Sequence, residues 1–237
     1  MINHDYFLEI NSDKKAYFLG FFIADGCVSI NKKQRCYGRF SFGIQEEDGY
    51  LLDVLGQEVN VKPCTIIYQN GITHRKPQKR LRWTSQKMLM DILSYNLGPN
   101  KTFSDFQFPF EKIPKKYWGA FIRGYIDGDG SFEQHSGIFN PSIVGPNKTW
   151  IKQVGDLINK ETGLTYKLYE KSGKTCTYYM LRWSANNKDK VSKIKRLYNF
   201  LYDNAEIWMK RKREKIEAYL EYRANQIRVK GIWRCNA

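Results

Sequence analysis

Phe18-Leu-Gly-Phe-Phe-Ile-Ala-Asp-Gly26 returns 104 positions later as Ile122-Arg-Gly-Tyr-Ile-Asp-Gly-Asp-Gly130, with glycine third and Asp-Gly last in both copies. A fainter echo, Leu81-Arg82-Trp83 and Leu181-Arg182-Trp183, is offset by 100. Self-similarity at matched positions marks an internal duplication. The chain therefore reads as two similar halves, the second slightly shorter.

Working outward from the nonapeptides, hydrophobic periodicity repeats in the same order in each half. Residues 14–25 have helical apolar spacing, 27–31 and 39–45 alternate as strands, and 49–59 is helical. Residues 65–69 and 79–84 alternate again, and 86–95 closes the half with a helix. The second half follows with a helix at 117–129, strands at 131–135 and 141–144, a helix at 150–161, strands at 165–171 and 177–184, and a helix at 188–202. The expected fold is α+β, an αββαββα unit used twice, over 1–97 and 117–204.

Residues 98–116 hold Pro99, Pro109 and Pro114 among aromatic and basic side chains and read as an ordered linker. Residues 205–237 form a C-terminal unit whose first part, 205–224, reads as one more helix containing Lys210-Arg211-Lys212-Arg213. That basic run reads equally as a solvated face or as contact with a nucleic-acid backbone.

Composition narrows the function. With 39 Lys plus Arg against 24 Asp plus Glu, the net charge is +15, spread along the chain, which points to a polyanionic partner. A membrane is a poor second candidate, because apolar runs such as Tyr17 to Ala24 fall far short of the ~20 residues that span a bilayer. Met1 to Glu9 carries His4, Asp5 and Glu9 where a signal peptide has a basic and then an apolar region. Five cysteines, odd in number and widely spaced, argue against zinc and disulfides and for a reducing, intracellular setting.

Each nonapeptide ends a helix on a carboxylate, Asp25 or Asp129, followed by glycine. An acid there opposes the negative end of the helix dipole, so two at matched positions suggest a cation site. Gly20 and Ala24, and likewise Gly124 and Gly128, lie four apart on one nearly bare helix face, which allows two such helices to pack closely. Packed in matching orientation, they bring Asp25 and Asp129 side by side, and a divalent metal relieves the repulsion.

Alternation splits the strands into two faces. Phe40, Phe42, Ile44, Val28 and Ile30 take the core side, leaving Ser29, Asn31, Lys33, Arg39 and Ser41 on the other. Arg80 and Arg82, and Tyr178 and Arg182, oppose the Leu and Trp of their own strands. A basic, hydroxyl- and amide-bearing sheet suits the reading of base edges in a major groove.

The two nonapeptides resemble the LAGLIDADG motif, the second closely, the first with Ile23 where an acid often stands. The resemblance extends over nearly the whole chain. It implies a homing endonuclease-like saddle with the motif helices at the repeat interface, a monomer acting on double-stranded DNA. It also implies that Asp25 and Asp129 hold catalytic Mg²⁺, with Mn²⁺ able to substitute, to cut a long non-palindromic site. Gln45 corresponds to a polar residue that orients water, although its counterpart is Gly145. A basic accessory residue is expected near the end of the fourth strand, where only Lys87 and Lys188 are found. Asp127 reads as a structural or DNA contact. Two alternatives stay open: an intron RNA maturase or non-cleaving DNA-binding protein of the same fold, and a binding module that acts through charge alone.

Overall fold

The computed structural model describes residues 1–31, 36–67, 76–101, 105–135, 138–173, 177–184 and 190–235. In the first half, helix α1 (Asp13–Asp25) is followed by strands β1 (Cys27–Asn31) and β2 (Cys36–Gln45), helix α2 (Tyr50–Val59), strands β3 (Cys64–Ile66) and β4 (Gln78–Thr84), and helix α3 (Gln86–Ser94). The second half repeats this as α4 (Trp118–Asp129), β5 (Gly130–His135), β6 (Ile138–Gly145), α5 (Lys148–Thr162), β7 (Thr165–Ser172), β8 (Thr177–Ser184) and α6 (Lys190–Tyr202). A final helix, α7 (Lys210–Cys235), has no counterpart after the first half among the described residues.

Local chemistry sets the boundaries. Ser12, Ser85 and Asn147 cap α1, α3 and α5 by accepting from the backbone N–H three residues on. Gly163 ends α5 in the left-handed region at φ 74°, where a residue without Cβ is unstrained. Each sheet is antiparallel with the same strand order, β1-β2-β4-β3 and β5-β6-β8-β7. One contiguous core runs through both halves, including stacked Phe40, Phe42 and Trp83 in the first and Phe106, Phe108, Trp150 and Phe121 where the linker meets the second.

The helices of the two nonapeptides pack face to face at the joint. A Cβ built on Gly20 would strike the carbonyl oxygen of Phe121, and one on Gly124 would strike that of Tyr17. These are reciprocal contacts related by the 104-residue offset, as a pseudo-twofold axis requires. Gly128 meets the methyl of Ala24 on the same axis.

Three expectations are corrected. The strand expected at 65–69 is the shorter β3 (Cys64–Ile66), and its last two positions lie outside the described residues. Strand β6 starts before Pro141; its pairing with β8 begins at Ser142, so the missing proline N–H removes no bond from that ladder. The last helix starts at Lys210 rather than 205, because residues 205–209 spend their backbone groups elsewhere. Arg123 donates to the Ile207 carbonyl, Tyr50 to that of Trp208, and the Met209 N–H donates to Asp127.

Candidate active site and nucleic-acid face

Both motif helices end at the joint, so Asp25 and Asp129 emerge together. A Cβ on Gly128, the residue before Asp129, would stand 3.1 Å from Oδ2 of Asp25. Loss of solvation raises the pKa of Asp129 to about 7, with the neighbouring Asp25 carboxylate adding to the shift. Asp25 is exposed by surface area, yet protein atoms crowd its carboxyl from behind. That desolvation pushes its pKa up, while Lys212, Lys101 and Arg211 pull it down.

Behind each acid lies a hollow, and the two differ. On the Asp25 side a hollow of about 230 Å³ is lined by Gln45, Asp48, Gln78, Asp127 and Arg211 among others. Gln45 thus shares a cavity with Asp25. On the Asp129 side a hollow of about 210 Å³ is lined by Lys101, Phe106, Tyr125, Asn147 and Trp150. One flank is polar and the other aromatic.

Four charged residues that motif reading passes over reach this region. Asp48 is buried and accepts from Arg211 Nε at 2.9 Å. Lys101, from the linker, faces Asp129, Cys27 and Asp25, and burial lowers its pKa. Lys212 is 5% exposed and donates to the carbonyls of Ile126, Asp127 and Gly128; burial brings its pKa down to about 8. A signal for both lysines does exist, since each follows the last helix of its half and a left-handed asparagine, Asn96 or Asn204.

The expected accessory lysines are elsewhere. Lys87 lies on α3 and is ion-paired with Asp5. Lys188 lies outside the described residues. Asp127 is fully buried: one oxygen accepts from Tyr17 Oη at 2.8 Å and from the Met209 N–H at 2.7 Å, so it is structural.

Neither reading of the basic run at 210–213 describes it fully. Lys212 caps α4, Arg211 pairs with Asp48, Lys210 lies over the Tyr50 ring, and Arg213 lies over the Tyr202 ring and donates to Tyr198 Oη at 3.0 Å. All four hold the C-terminal segment to the rest of the molecule.

Strand register assembles the polar faces. Ser29, Arg39 and Thr84 stand abreast across β1, β2 and β4, and so do Cys27, Ser41 and Arg82. Arg39, Ser41 and Arg82 line one shallow recess. Arg80 stands between Gly43 and Cys64. In the second sheet Ser142, Arg182 and Lys167 form a row, and Tyr178 lies opposite Lys171. Arg39, Arg82, Tyr178 and Arg182 are exposed. Ile30, expected on the core side, is 39% exposed because it lies near the outer end of β1, past Val28. Asn31 ends β1 opposite Cys36, and Lys33 lies outside the described residues.

Comparison with known proteins gives a family match and several matching folds. Residues 117–195 match a family model described as a LAGLIDADG-like domain. The fold matches I-DmoI in complex with DNA and Ca, with 20% identity, 81% of this chain and 92% of that chain covered, and a TM-score of 0.53. It also matches the homing endonuclease I-WcaI bound to its DNA recognition sequence, with 17% identity, 88% and 90% covered, and a TM-score of 0.56. A point mutant of I-SmaMI matches with 13% identity, 87% and 89% covered, and a TM-score of 0.52. Other matching I-DmoI structures contain Mn, or target DNA in the presence of Mg. Among the described residues no helix is long and apolar enough to cross a membrane.

Proposed function

We infer that this chain, with a LAGLIDADG-like domain at 117–195 and the fold of the homing endonucleases, is itself such an enzyme. It hydrolyses both strands of a long, non-palindromic duplex site with divalent metal. The observation that carries this is the convergence of Asp25 and Asp129 at the joint between two halves whose sheets each carry exposed arginine. A single chain supplies both halves of the site, so it acts as a monomer and imposes no palindrome.

The donor set fits Mg²⁺, with Mn²⁺ as a substitute. Among the described residues no three Asp, Glu, His or Cys side chains converge into a closed cage. Mg²⁺ is commonly taken up by one or two carboxylates completed by water and substrate phosphate. When bound there, the ion activates water and stabilises a leaving oxygen. Asp25 and Asp129 hold it, Gln45 orients water in the hollow beside Asp25, and Lys101 offsets negative charge beside Asp129. Ser29, Arg39, Ser41, Arg80 and Arg82 on one sheet, and Tyr178 and Arg182 on the other, contact the duplex, with Asn31 and Lys33 extending the first set.

Asp25→Asn and Asp129→Asn test the reading. Each keeps the shape and removes a ligating charge, so cleavage in Mg²⁺ should fall by at least ~10²-fold while duplex affinity holds or rises. Strand-labelled cleavage and filter-binding assays measure both. Wild-type cutting by both variants would reject the assignment.

A further inference from the structure

Lys212 lies outside both αββαββα units, at the start of α7, yet its side chain ends at the C-terminus of α4. Its ammonium donates to the carbonyl oxygens of Ile126 at 2.7 Å, Asp127 at 2.5 Å and Gly128 at 3.3 Å. These belong to the last turn of the helix, where the dipole is negative and carbonyls begin to run out of intrahelical partners, although that of Ile126 also accepts from the Gly130 N–H. Helix α4 has no basic residue in its own last turn, so this charge is imported from a distant part of the chain. The third acceptor, Gly128, is also the residue against which Asp25 Oδ2 rests, and Asp129 follows it directly. The ammonium therefore sits within the cluster that contains both acids, with no room in its three donors for a further partner.

We propose that Lys212 is a resident counter-cation of the acid pair, holding the helix ends together before a divalent ion arrives and raising the concentration of ion needed to load the site. This rests on the assignment of Asp25 and Asp129 as metal ligands. Lys212 is a positioning residue, since its protons are committed to backbone carbonyls. A divalent ion entering beside it meets like-charge repulsion across a poorly solvated site. Removing the charge while leaving a hydrogen-bond donor should weaken the metal-free protein and ease loading. A lysine that served only as a helix cap would alter stability and leave the metal requirement unchanged.

Lys212→Gln removes the charge and keeps an amide donor; Lys212→Arg keeps the charge. Each is titrated with Mn²⁺ without DNA, following the thermal midpoint and the free-Mn²⁺ paramagnetic signal. The Gln variant should melt lower without metal and reach half-saturation at roughly fivefold lower Mn²⁺ or less, while the Arg variant stays near wild type. Equal half-saturation in the Gln and wild-type proteins overturns the proposal. Should the Gln variant be unfolded without metal, refolding below the wild-type half-saturation supports it, and failure to refold in excess Mn²⁺ overturns it. Absence of any Mn²⁺ response in wild type overturns this inference alone, whereas a response that persists in the Asp25→Asn/Asp129→Asn double variant removes the metal assignment itself and this inference with it.

Discussion

Asp129 carries the clearest electrostatic signature in the molecule. Burial first and Asp25 second raise its pKa to about 7, so near neutrality the metal-free protein holds a proton there that the unfolded chain has released. Between the unfolded value near 4 and about 7, folding binds that proton and is favoured by it, so the stabilisation fades as pH rises through the folded value. The thermal midpoint of the metal-free protein should therefore fall between pH 5.5 and pH 8, and Asp129→Asn should flatten the trend. A pH series of melts measures it; a wild-type midpoint that rises over that window contradicts the placement. The same sign holds for Asp127, whose pKa burial raises to about 6, while Lys212, the Met209 N–H and Tyr17 hold it down, so part of the trend persists in Asp129→Asn.

Helices α1 and α4 depend on the absence of side chains. At Gly20 and Gly124 even a methyl group meets a backbone carbonyl of the other helix, which cannot swing aside as a flexible side chain could. Gly124→Ala should therefore cost about 1–3 kcal/mol of stability by overpacking. It should also separate Asp25 from Asp129 and lower cleavage more than duplex affinity. Chemical denaturation with parallel cleavage and binding assays checks this; stability within error of wild type would mean that the helices are not packed this closely. The C-terminal segment braces the same element from outside. Arg123 on α4 is 1% exposed and links the Leu201 and Ile207 carbonyls to Asp13.

The whole molecule carries a net charge of +15 and presents Arg39, Arg82, Lys167 and Arg182 on its two sheets, an arrangement that attracts a polyanion. Lysines and arginines that neutralise phosphates make affinity fall steeply with salt, whereas base contacts give preferences that salt does not erase. Arg82 and Arg182 occupy corresponding positions in the two sheets. Replacing either with Ala should relax preference at particular positions of the site by roughly 1–3 kcal/mol if it contacts guanine. Competition binding across a substituted site library measures this; a uniform loss over all sequences would make them phosphate contacts.

Much of this architecture is local and was legible in the chain itself. A duplicated Gly-x-x-x-small face, an acid at each helix end and strand alternation depend on spacing along the chain. They therefore specify two αββαββα units, the packing helices, the acid pair and the polar sheet faces. What residues 205–213 do was not legible, because their hydrogen-bond partners Tyr50, Arg123 and Asp127 lie far away in sequence and displace the helix start to Lys210. The same holds for Lys101 and Lys212, whose meaning comes from carboxylates and carbonyls that only folding brings near them. Periodicity reports which face a residue occupies. Which distant charge it meets is decided by how the two repeats, the linker and the last helix close around the joint.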